Sequence, residues 1–113
     1  MENLEYYIDV EDGLKRIFNN KAIYKKLLGK FTEKSGFEEL KAELAAGDIV
    51  SATRSAHSIK GAGANLSLIK ATEVAAALEQ DLKNSLPYEE HFHELEEVMA
   101  ATLGYIQTLV ETL

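Results

Sequence analysis

Residues 49–66 read IVSATRSAHSIKGAGANL. Ile49, Ala52, Ala56, Ile59, Gly63 and Leu66 recur at steps of three and four, which is the rhythm of one buried stripe on a helix. Asp48 stands where a helix N-cap belongs, and Gly47 ends whatever precedes it. The spacing predicts a helix over 49–64, followed by a turn at Asn65-Leu66-Ser67 with Ser67 a candidate cap for the next helix. Two glycines inside that helix need a reason, since each costs ~1 kcal/mol relative to alanine. At 100° per residue, His57 lies ~130° and Gly61 ~170° from the centre of the apolar stripe. Gly63 falls on the stripe, where a missing side chain lets another helix come close. Gly61 falls outside it, where packing gives no reason for a glycine. Its expected use is to leave room beside His57 for a large group or a partner's backbone. Lys60 lies one turn from His57, offset by ~60°, and Arg54 shares the outward side.

The rest of the chain repeats the helical rhythm. A lead-in helix is expected at about 10–18, with Leu14, Ile17 and Phe18 on one side. A second is expected at 20–34, with Ile23, Tyr24, Leu27, Leu28 and Phe31 facing inward, and Ser35-Gly36 breaks it. A short helix at 37–46 carries Phe37, Leu40 and Leu44. Helices at 68–84 and 88–112 follow, separated by Asn84-Ser85 and the single proline, Pro87. Strand-like runs are hard to find, and no linker divides the 113 residues, so one domain over 1–113 is expected. The predicted fold is all-α: an antiparallel, up-down-up-down four-helix bundle with short additional N-terminal helices.

Composition excludes several function classes. A net charge of −7 without a basic stripe argues against nucleic acid as a partner. The absence of cysteine removes disulfides and thiolate chemistry. The segment MENLEYYIDVEDG is acidic and lacks an apolar core, so no secretion signal is expected there. No run approaches the ~20 apolar residues that cross a bilayer, so no membrane association and a cytoplasmic location are expected. His91 and His93 are two apart, which puts them on different faces of a helix and makes paired metal ligation poor. They are expected to be exposed polar residues beside a core Phe92.

The stretch AHSIKGAGANLSLIKATEVAAALEQ, residues 56–80, resembles the signature of histidine-containing phosphotransfer (HPt) domains, roughly A-H-x-[LI]-K-G-x-[AG]-x-x-[LI] and then a helix ending in Leu-Glu. Tyr24, Leu27, Leu28 and Phe31, and the Gly47-Asp48 pair, also fit that family, so the resemblance covers most of the chain. It implies that His57 is the phosphorylated histidine, that Lys60 sits beside the phosphoryl group and that Gly61 leaves space for it. Glu79 matches a polar position on the neighbouring helix that bonds the histidine ring, and Arg54 matches a position that is often basic. Ser67 departs from the pattern, since the family often has glycine there; this bears on the turn and not on the chemistry.

The residues agree with those roles. A carboxylate bonded to Nδ1–H would fix the imidazole tautomer and leave Nε2 free to attack. Glu79 lies ~60° from the centre of its own helix's apolar stripe, on a flank able to face His57. No P-loop, nucleotide-binding glycine loop or second acidic cluster for Mg2+ is visible, so ATP chemistry is not expected. The expected carrier is monomeric, has no cofactor of its own and is not an enzyme. Its expected partners resemble response-regulator receiver domains, which bring the acceptor aspartate and the Mg2+; a hybrid histidine kinase is a further candidate. The alternative is a helical-bundle interaction module that binds a receiver or kinase without being phosphorylated, which predicts loss of the His or Lys that the chain retains. A metal-binding or catalytic bundle would need inward clusters of His and Glu, which the predicted core stripes lack.

Overall fold

A computed structural model describes residues 4–113 of the chain. Among them the helices are α1 (Leu4–Tyr7), α2 (Val10–Lys15), α3 (Lys21–Lys34), α4 (Phe37–Ala45), α5 (Ile49–Asn65), α6 (Ile69–Lys83) and α7 (Glu89–Thr112). Side-chain caps explain several of the boundaries. Asn20 accepts from the Ile23 amide to open α3, and Asp48 accepts from the Ser51 amide to open α5. Gly36 and Gly47 take φ values of +90° and +75°, the left-handed region that glycine enters at little cost, and there the chain breaks before and after α4.

The core is built from the predicted stripes. Ala52, Ala56 and Ile59 of α5 are buried against Ala71, Ala75 and Leu78 of α6, with Leu95, Met99 and Ile106 of α7 and Tyr24, Leu28 and Phe31 of α3 completing the interior. α4 packs on α5, α5 on α6, α6 on α7, and α3 on α7. α5 and α6 run antiparallel: His57 meets Glu79, and further along Gly63 meets Thr72. A Cβ on Gly63 would lie 2.6 Å from Thr72 Oγ1, so the small residue is what lets these two helices close together. Their close packing sets the position of His57 relative to α6.

The N-terminal part differs from expectation in three ways. The lead-in helix ends at Lys15, and the chain reverses through Phe18 and Asn19, both with positive φ, to reach the Asn20 cap. Phe18 is therefore turned to solvent, 96% exposed, instead of facing inward. Ile23 is likewise exposed, because the face of α3 that meets the bundle is centred on Tyr24, Leu28 and Phe31. A further helix, α1, precedes the lead-in, and Ile8 pairs with Leu68 in an isolated antiparallel bridge that ties this segment to the α5–α6 turn.

Ser67 does not cap α6. Leu68 occupies the cap position with no side-chain bond, and Ser67 adopts φ +58° while its hydroxyl donates to the Asp12 carboxylate. The left-handed conformation explains why glycine suits this position, and the bond to Asp12 is what serine supplies in its place.

Candidate functional site

His57 occupies the middle of α5, between the N-cap Asp48 and the turn at Leu66. Its backbone neighbour Ala56 is fully buried, while the His57 side chain is 64% exposed. The outward phase expected for it is what the structure has. Glu79, near the C-terminal end of α6, lies among the buried residues of that helix and is only 1% exposed.

Three cationic or hydrogen-bonding groups converge on that buried carboxylate. His57 Nδ1 lies 2.9 Å from Oε2, Lys60 Nζ lies 2.8 Å from Oε1, and Lys83 Nζ lies 3.1 Å from Oε2. Burial pushes the Glu79 carboxyl up, but the bonds from Lys60, Lys83 and His57 outweigh it and hold the group at about 2, well below its ordinary 4.5. Glu79 is thus ionised throughout the neutral range. An ionised carboxylate can only accept, so His57 Nδ1 carries the proton and donates it. The lone pair of the neutral ring is then on Nε2.

Space around the ring follows from Gly61. A Cβ at this position meets nothing within 4 Å, so the glycine is not required for packing, in contrast to Gly63. Ala62 and Ala64 are exposed on the same stretch. Arg54 is exposed one turn before His57 and joins no ion pair among the described residues, so the structure brings together His57, Lys60 and Glu79 but leaves Arg54 outside their network.

Lys83 is a member of the site that the sequence pattern does not single out. It lies outside the histidine motif and enters the site only because it is one turn after Glu79 on α6. A basic residue at i+4 from a carboxylate on a helix flank is the signal that was available. Lys60 also has a more specific place than a free charge beside the ring: its ammonium is engaged by Glu79.

A second histidine–carboxylate pair lies at the α6–α7 connection. His91 Nδ1 bonds Asp81 Oδ2, so His91 is half-buried and partnered instead of simply exposed; His93 is exposed as expected. The Asp81 bond raises the His91 pKa against the opposing effect of burial, with Glu94 and Glu90 adding to the rise. Protonation is thereby favoured, which makes this ring a poorer nucleophile. Among the described residues no group of three or more His, Asp and Glu side chains converges as a metal site, and no helix is long and apolar enough to cross a membrane.

The fold and site together define a class: a helical bundle that displays one tautomer-locked imidazole on an open face, beside two lysines and a buried carboxylate. A family model described as Hpt domain matches residues 34–111, and the chain belongs to that family. Membership places it in phosphotransfer within two-component phosphorelays. Neither the curated proteins nor the solved structures compared with the chain gave a match.

Proposed function

We propose that His57 is the phosphoacceptor of a phosphorelay carrier, receiving a phosphoryl group from the aspartyl phosphate of a receiver domain and passing it to the aspartate of another. The observation that carries this reading is the 2.9 Å contact between His57 Nδ1 and the buried Glu79 carboxylate, which leaves Nε2 as the free nucleophile on an open face. In the forward step the Nε2 lone pair attacks phosphorus, the P–O bond to the aspartate carboxylate breaks, and the Nδ1 proton stays on the ring, bonded to Glu79. The imidazolium character that develops is stabilised by that carboxylate. The return step reverses the same bond changes, with a receiver aspartate oxygen as nucleophile and His57 Nε2 as leaving group.

Lys60 neutralises charge in two settings. Before transfer its ammonium is held by Glu79 Oε1; as the phosphoryl oxygens arrive one turn away, it shares that charge with them. Lys83 keeps Glu79 ionised while Lys60 is so occupied. Gly61 leaves the approach to Nε2 clear, and Arg54 is a peripheral charge facing the partner. The carrier has no cofactor of its own, and Mg2+ belongs to the receiver. The test is incubation with receiver domains phosphorylated by acetyl phosphate. Label that moves to this chain, is acid-labile and base-stable, and is lost in His57→Gln supports the reading. Stable binding without label in the chain would support the interaction-module alternative.

A further inference from the structure

The basic residues of this acidic chain are not spread evenly. Lys21, Lys25, Lys26, Lys30 and Lys34, five of the twelve Lys and Arg, lie on α3 with Glu33 as the only acid, in a chain of net charge −7. All five are exposed, and none has an ion-pair partner among the described residues. Every other Lys or Arg except Arg54 lies within 4 Å of a carboxylate. The α3 lysines are therefore a positive area left uncompensated by the protein itself.

Lys26, Lys30 and Lys34 are spaced i, i+4, i+8, so they form one row along α3. Lys30 and Lys34 rim a groove of about 410 Å3 between α3 and α5, whose apolar lining is Leu27, Phe31, Ala62 and Leu66. Glu33 lines a separate groove toward α7 and forms no ion pair with the row among the described residues. The α3–α5 groove lies on the flank of α5, ~140° round the helix from His57. Ala62 is five residues beyond His57, ~7.5 Å along the helix axis. A standard protein–protein contact covers ~800 Å2 on each partner, enough for one molecule seated over His57 to reach the groove as well.

We infer that the Lys26–Lys30–Lys34 row and the α3–α5 groove are a second contact area for the receiver domain that docks on His57, engaging an acidic, partly apolar flank of that partner. This rests on the phosphocarrier reading. Charge complementarity selects the occupant: lysines that this acidic chain leaves without a carboxylate call for carboxylates on the flank of the molecule that docks over His57. A lipid surface is the poorer occupant, because the apolar residues line a concavity and the chain as a whole is acidic. The contact steers and orients the partner and takes no part in bond making.

The test compares wild type with Lys26→Gln/Lys30→Gln/Lys34→Gln, exposed helix positions where glutamine is nearly as good a helix former. Transfer from a phosphorylated receiver that loads wild-type His57 is measured across receiver and salt concentrations, and direct phosphorylation by phosphoramidate is measured beside it. The expected result is a second-order transfer constant lower by on the order of tenfold at low salt, a flatter salt dependence, and unchanged rates at saturating receiver and with phosphoramidate. Equal transfer constants at every salt concentration overturn the inference and leave the phosphocarrier reading intact. A matching loss with phosphoramidate also overturns it, since the lysines would then act on His57 chemistry. Absence of transfer from any receiver to wild type removes the phosphocarrier reading and this inference with it. Co-sedimentation of wild type but not the variant with phosphatidylserine vesicles, with equal transfer constants, overturns it in favour of lipid.

Discussion

The two glycines of α5 should respond oppositely to a side chain. Gly61→Gln adds a helix-favouring residue where a Cβ meets nothing within 4 Å, so it should stabilise by ~0.5–1 kcal/mol. Gly63→Ala gains a similar helix term, but its Cβ would lie 2.6 Å from Thr72 Oγ1, which itself donates to the Leu68 carbonyl at 2.8 Å. Relief requires Thr72 to turn and lose that bond, or α5 and α6 to part. Overpacking costs ~1–3 kcal/mol and the lost hydrogen bond ~1 kcal/mol, leaving a net loss of ~1–3 kcal/mol after the helix gain. For a chain of this length that is a rise of ~2–5 °C in Tm for Gly61→Gln and a fall of ~4–15 °C for Gly63→Ala, read by circular dichroism. Transfer from a phosphorylated receiver should fall in Gly61→Gln, because the new side chain fills the space one turn from the ring. Tm shifts of the same sign for both variants would refute the packing argument. A stabilised Gly61→Gln with normal transfer would refute the steric role.

Three further outcomes follow from the charged groups. Glu79→Gln should lose ~1–2 kcal/mol at pH 7, a figure reduced for solvent screening of Lys83 and His57. Because the folded carboxyl is held at about 2 against an ordinary 4.5, its contribution is full above 4.5 and is lost as the pH falls toward 2; urea unfolding of both proteins at pH 7 and pH 2 should show the gap closing, and a constant gap would remove the ion network from the account. Lys60→Ala should keep the helical fold with lower stability, since it removes the Oε1 partner of the buried Glu79 carboxylate while Lys83 remains, and slow transfer roughly 10–100-fold; unchanged kinetics would reduce it to a structural partner of Glu79. His91 has a raised pKa in the folded chain, so its pairing with Asp81 stabilises fully below 6.5 and is lost as the pH rises through the folded value. His91→Gln should therefore be destabilised at pH 6 and approach wild type by pH 9, and a deficit that persists at pH 9 would mean packing, not charge, is at stake.

The bundle and the outward histidine were readable because both depend on local periodicity. Ala52, Ala56, Ile59 and Gly63 occupy the buried stripe, and His57 and Gly61 lie off it, as the steps of three and four require. What was misplaced depends on where elements meet. Phe18 and Ile23 are apolar, and periodicity assigns apolar residues inward. Nothing local shows that the chain reverses through two positive-φ residues before Asn20, or that α3 presents Tyr24 and not Ile23 to the bundle. Glu79 was placed on the right flank, but the depth of its burial, and hence its need for a second cation from Lys83, exists only once α5 and α6 are packed. The His91–Asp81 bond likewise depends on how α7 enters after Pro87, an angle that the spacing of residues does not encode.

The central claim is that Glu79 locks the proton on His57 Nδ1 and leaves Nε2 to take the phosphoryl group. Heteronuclear NMR of the phosphorylated, 15N-labelled protein reads this directly through the 31P–15N coupling. The expected result is coupling to Nε2 of His57, with Nδ1 still protonated and its proton shifted downfield by the carboxylate. Coupling to Nδ1, or a phosphoryl group on His91 or His93, would contradict it.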